Sequence, residues 1–201
     1  VSIDLTGLPP TPEQVKAFLE DKRDSQTKRA AKIEELIASP AFVDHWTLKW
    51  SDLLLANRKY IKEKGVWAFR NWIRNAIATN QPYDEFVYDL ITPNGSTYEN
   101  PPANYYRANR NAVERAESTA QVFLGTRLQC AQCHNHPFDR WTMDDYYSFA
   151  AFFSQIGRKR GEDPRELIIY NRGGGEVKHP VSGQNMQPKF LGGAVPDVKG
   201  K

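Results

Sequence analysis

Residues 130–134 read Cys-Ala-Gln-Cys-His. Two thiols three positions apart on one helical turn can each add to one vinyl group of a single porphyrin. The adjacent His134 then faces the iron as proximal axial ligand. This C-x-x-C-H spacing is the attachment signature of c-type haem, and with only two cysteines and four histidines in the chain a chance match is uncommon. Arg127 and Arg140 are close enough in sequence to serve the propionates. His136 lies too near His134 to reach the opposite face of the same iron, so a hydrogen-bonding role beside the site suits it better. Asp139 either orients His136 or caps the next turn. Leu128, Phe138, Trp141, Tyr146, Tyr147, Phe149 and Phe152 are local candidates for apolar walls, each also a natural core residue. For the sixth ligand the first candidate is Met186, in Asn-Met-Gln-Pro-Lys-Phe. A methionine thioether raises the reduction potential and favours electron transfer. Met143, His45 and His179 are weaker candidates. With none of them bound, the iron is five-coordinate and open to ligand binding or redox catalysis.

Other chemistries compete for the same atoms. Cys130, Cys133, His136 and His179 have the types of a Cys2His2 zinc site. A thioredoxin-like pair needs a βαβ setting, whereas this motif follows a helical pattern. A plain disulfide across so tight a loop is disfavoured. The chain has no G-x-S-x-G, Walker or H-E-x-x-H motif, and Gly173-Gly174-Gly175 lacks the strand-to-helix setting of a phosphate loop.

The elements that must position the motif are mostly helical. Thr11-Pro12-Glu13 opens a first helix with an apolar stripe of Val15, Phe18 and Leu19. A second helix covers about 25–38, with Ile33, Leu36 and Ile37 inward, and Ser39-Pro40 breaks it. A third, about 41–57, places Trp46, Trp50, Leu53 and Leu54 on one face, and a fourth covers about 66–79. A fifth opens at Pro82. Residues 92–110 break the pattern: Pro101-Pro102 argues against helix, and Tyr98, Tyr105 and Tyr106 make an aromatic loop, either a binding cover or a segment packed by its own tyrosines. A sixth helix, about 112–124, ends at Gly125; a seventh starts at Thr142, with Asp145 completing a capping box, and ends at Gly157. Arg158-Lys159-Arg160 then reads as a solvated helix end, or as a docking patch for an acidic partner. A β hairpin is expected from 166–170 and 176–179 about the glycine run, followed by an extended tail.

The composition agrees with a folded domain. Of 201 residues, 40% are hydrophobic and 25% charged, and no apolar run approaches the roughly 20 residues of a membrane span. A net charge of +3 does not point to nucleic acid. The chain starts at Val1 and ends without a closing element, so it reads as one domain (residues 1–201) excised from a larger protein. Within it we distinguish a helical half (1–91), the aromatic loop (92–110), a haem-attachment region (111–157) and the hairpin with its tail (158–201).

Three stretches together carry a family resemblance. They are Leu5-Thr-Gly-Leu-Pro-Pro-Thr-Pro-Glu13, Phe123-Leu-Gly followed by Cys130-Ala-Gln-Cys-His-Asn-His-Pro-Phe-Asp139, and Asp145-Tyr-Tyr147 leading to Ala151-Phe-Phe153. They resemble the planctomycete cytochrome-like domain family, long a domain of unknown function. The resemblance implies a large exported protein in which a cytochrome-c-like domain precedes and another uncharacterised domain follows. It maps covalent attachment onto Cys130 and Cys133 and proximal ligation onto His134, and it names no substrate. The expectation is therefore a mainly α domain, bundle-like with a small C-terminal β hairpin and distinct from the small cytochrome c fold. It binds one haem c and transfers electrons to other domains and redox partners, on the periplasmic or cell-envelope side.

Overall fold

Capping side chains start the helices where their chemistry marks a start. The computed structural model describes residues 1–197. A short α1 (Ser2–Thr6) comes first; five residues show no period to read, and packing on a later helix holds it. Thr11 and Gln14 form a capping box that opens α2 (Pro12–Glu20), with Pro12 in the first turn where its missing N–H costs nothing. Asp24 caps α3 (Ser25–Ile37), and Ser39 caps α4 (Pro40–Leu53). The helical half closes with α5 (Arg58–Ile61), α6 (Glu63–Ala78) and α7 (Tyr83–Ile91). The expected third helix is thus split. Leu55 takes a left-handed φ of 56° and Asn57 caps α5, so Leu54 turns fully inward while Leu53 is left 52% exposed. The stripe on α2 is not buried either: Val15 and Leu19 are exposed, as is Ile37 on α3.

One hydrophobic core joins the two halves of the chain. Phe69, Ile73 and Leu90 pack in it with Tyr105, Tyr106, Tyr146 and Ile169. On its helical side Trp72 stacks on Phe86 at 5.0 Å between centroids, and Trp50 meets the same ring edge-on.

Residues 92–110 are not an open loop. Pro101-Pro102 begins a 3-10 turn (Pro101–Ala103) that runs into α8 (Asn104–Ala108), because prolines fit a first turn and are barred only further in. Tyr105 and Tyr106 are fully buried. The Tyr105 hydroxyl pairs with that of Thr119 at 2.8 Å, and Tyr106 donates to the Ile91 carbonyl. The segment packs by its own tyrosines.

Asn111 caps α9 (Ala112–Phe123), and the Thr142–Asp145 capping box opens α10 (Met143–Ala151). The sheet differs from the expected hairpin. Its strands are β1 (Gly95–Ser96), β2 (Ile156–Arg160) and β3 (Leu167–Asn171), all antiparallel, in the order β1-β3-β2. The partner of β3 is β2, with Gly157 opposite Tyr170, and not 176–179. Arg158-Lys159-Arg160 is therefore an edge strand, not a helix end. Charged side chains are the usual guard on an exposed edge, and they hide the strand from a reading based on apolar alternation. Residues 177–179 turn back on 184–186 instead, through the Lys178–Asn185 bridge and a hydrogen bond from Met186 N–H to the Val177 carbonyl. On the far side, β1 ties to β3 by Gly95–Ile169 and Ser96–Ile168 pairing, extended by Thr97 N–H to Leu167 O at 2.9 Å. Residues 97–166 are thereby a loop closed at its base.

Candidate functional site

The C-x-x-C-H motif lies in the connection between α9 and α10. Gly125, at a φ of 63°, ends α9 in the left-handed region that suits glycine. A 3-10 turn (Gln129–Gln132) follows. Its three-residue period sorts the side chains. Leu128 and Ala131, three apart, are buried in the core, whereas Cys130 and Cys133, also three apart, are exposed and unpaired. The same geometry that anchors the turn presents both thiols to solvent.

His134 is also exposed, and its Nδ1 stands 2.6 Å from the Asn135 carbonyl oxygen. A carbonyl only accepts, so Nδ1 holds the proton and Nε2 keeps its lone pair. A hydrogen bond that fixes the tautomer in this way is characteristic of ligating histidines. The Asn135 side chain in turn accepts Met143 N–H at 3.3 Å, which ties the motif to the start of α10.

The rest of the lobe folds on itself. His136 N–H donates to the Trp141 carbonyl at 2.8 Å, and His136 Nδ1 accepts Phe138 N–H at 3.2 Å. Asp139 accepts Arg140 N–H, so it caps its own turn and does not orient His136. Arg140 lies 4.6 Å from the Trp141 ring centroid; beneath it the Trp141 indole N–H is buried with no partner among the described residues. Phe138, at the tip, is 94% exposed. Arg127 is exposed.

Two tyrosines of α10 tie it to its neighbours, one to the turn and one to α9. Tyr147 donates to the Gln132 carbonyl at 3.0 Å, and Tyr146 donates to Glu117 of α9 at 2.7 Å. Burial pushes the Tyr146 hydroxyl far up, with the Glu117 carboxylate and then the Cys133 sulfur adding to it. Burial also raises Tyr147, again with help from Cys133. Both hydroxyls are thus fixed as neutral donors. A cavity of about 830 Å³ adjoins the turn, lined by Leu128 and Gln129 together with Leu53, Lys59, Arg110 and Glu117.

The candidate sixth ligands are scattered. Met143 is the first residue of α10, next to the motif lobe, and Met186 packs against the core from the 184–186 return. His179 packs its ring edge-on against Tyr147. Its Nδ1 accepts the N–H groups of Val181 and Ser182, so Nε2 carries the proton and faces Asp144 at 3.6 Å. His45 lies in the helical half, against Gly7 and Trp46; a Cβ on Gly7 would run into its imidazole. No group of three or more His, Cys, Asp or Glu side chains among the described residues converges to hold a metal ion. Free outward thiols and an imidazole with Nε2 unprotonated nevertheless fit a porphyrin that brings its own iron.

The tyrosine pair, Glu117 and the adjoining cavity were not singled out from sequence as a unit. The spacing of Tyr146 and Tyr147, one turn into a helix that follows the motif, is the signal that could have found them.

The fold and site define a mainly α domain that presents a C-x-x-C-H turn on its surface. The chain belongs to the PSCyt2 family, described as proteins of unknown function (DUF1549), whose family profile matches residues 1–158. No curated protein and no solved structure matches the chain. The family match ends within β2, so β3 and the return that holds His179 and Met186 lie beyond it. No helix among the described residues is long and apolar enough to cross a membrane.

Proposed function

We propose that this domain carries one haem c on Cys130 and Cys133, with His134 as proximal ligand, and passes electrons within a larger exported protein. The observation that carries the reading is the pairing of two outward, unbridged thiols with an imidazole whose Nδ1 proton is committed to the Asn135 carbonyl. The thiols are accessible to vinyl groups, and Nε2 is free for iron. The exposed Phe138 offers an apolar surface at the same lobe. When bound, the iron porphyrin supplies a reversible one-electron couple. The chain's own part is to hold and orient it: Leu128 and Ala131 anchor the turn, and Tyr147 fixes the Gln132 carbonyl. The proposed setting is a planctomycete protein in which this domain adjoins a cytochrome-c-like one, with neighbouring domains and redox proteins as partners.

A five-coordinate iron open to a small ligand is the second reading. It is favoured by His179, which would have to give up two hydrogen bonds at Nδ1 to free Nε2. A zinc site on the same cysteines lacks support, because His136 and His179 both use Nδ1 as an acceptor inside their own turns.

The test is expression in the periplasm with haem-maturation machinery, followed by a pyridine haemochrome assay. One covalent haem per chain is expected, and none in C130A/C133A. Absence of covalent haem from the unaltered chain would sink the proposal. A reduced spectrum that carbon monoxide leaves unchanged, and that Met186→Ala shifts, would assign Met186 as sixth ligand.

A further inference from the structure

Tyr147, whose hydroxyl supports the motif turn, also lines a second cavity of about 510 Å³. Its rim is built from cations brought together from distant parts of the chain: Arg110, Arg115, Arg158, Arg172 and Lys178, with Glu176 the acid among them. The first turn of α9 lines it too, from Asn111 to Val113, and so turns the positive end of a helix dipole towards the hollow.

These charges are not neutralised by one another. Arg115 is almost completely buried, and its Nε and Nη groups donate to the carbonyls of Asn109, Phe153, Ile156 and Arg110, none of them a carboxylate. Burial lowers its pKa to about 10; the charges of Arg158 and Arg172 push the same way, against Tyr106 and Glu114. Burial likewise lowers Arg158, with Arg110 adding to it. Glu114 is engaged with the Arg110 backbone N–H at 2.6 Å. Like charges around a partly enclosed hollow repel one another strongly, because the low-dielectric walls screen them poorly. An anion in the hollow would reverse that sign. Planar guanidinium groups suit carboxylate, phosphate and sulfate oxygens above other anions.

We propose that this cavity binds a small oxyanion-bearing molecule, whose charged group is a carboxylate, phosphate or sulfate. Arg158 and Lys178 would face it from the exposed side, and Arg115 and Arg172 would fix the wall behind. The site shares Tyr147 with the support of the motif turn and forms without haem.

The test uses the full chain without haem. Inorganic phosphate and citrate are titrated separately at constant ionic strength, following the midpoint of thermal unfolding and, for phosphate, the 31P linewidth. A saturable rise in midpoint with at least one of them is expected. R158Q/K178Q should weaken it at least tenfold, and K22Q/K49Q, an equal loss of charge elsewhere, should leave it unchanged. These variants spare Arg115 and Arg172, which hold backbone carbonyls, so folding is not at stake. A rise that never saturates, or that falls equally in both variants, overturns the proposal. So does saturation present in the apo chain but lost once haem is attached, which would give the cavity to the porphyrin's own carboxylates.

Discussion

Two short segments, 101–109 and 128–141, look alike in sequence and behave in opposite ways. Each carries proline, asparagine and two aromatic rings (Tyr105 and Tyr106 in the first, Phe138 and Trp141 in the second), each has a 3-10 turn at or near its start, and each links longer helices. In the first, Pro102 through Asn109 are all buried, and the Tyr105 hydroxyl and the Asn104 and Asn109 amide nitrogens are bonded inside the fold. In the second only Leu128, Ala131 and Trp141 are buried, and every sulfur and imidazole of the motif stands at or near the surface. One segment is there to be packed. The other is held by three anchors so that the residues between them are free to react.

That contrast can be broken by substitution. Tyr105→Ala removes a fully buried ring and orphans the Thr119 hydroxyl, so it should cost about 3–5 kcal/mol by urea denaturation. Asp145→Asn, at the boundary of the motif lobe, keeps an acceptor for the Thr142 N–H but loses the charge beside Lys189 and the start of α10, and should cost about 1 kcal/mol at neutral pH. The pH dependence of that loss has a definite sign. Burial alone would raise the Asp145 carboxyl, but the Thr142 N–H and hydroxyl and the Lys189 ammonium hold it below its ordinary 3.8. A depressed carboxyl contributes stability above its unfolded value and loses it as pH falls through the lower folded value. Melts of wild type and Asp145→Asn should therefore differ at pH 7 and draw together below the ordinary carboxylate range. Cys130→Ala, Cys133→Ala and Phe138→Ala should each shift the stability of the haem-free chain by no more than about 0.5 kcal/mol. A Phe138→Ala loss near that of Tyr105→Ala would erase the distinction between the segments.

What the sequence disclosed was local. Thr11 and Thr142 cap their helices as their side chains dictate, because a cap is settled within four residues. The motif was equally legible, since its chemistry resides in adjacent side chains. What failed was settled by distant partners. Nothing near α8 says that Tyr105 will find Thr119, and nothing near β2 says that a basic tripeptide will lie against Ile168 and Ile169. The cationic cavity is the extreme case, because Arg110, Arg158, Arg172 and Lys178 meet only once the sheet has formed.

The pairing of β1 with β3 fixes how the molecule carries load. Ser96 faces Ile168 across that pair and its hydroxyl bonds Glu166, so residues 97–166 hang from a clasp. Tension applied to the chain on either side would run through the clasp and bypass what hangs from it. The motif turn would begin to stretch only after β1 had been torn from β3. The most exposed chemistry in the domain thus occupies its most mechanically sheltered segment.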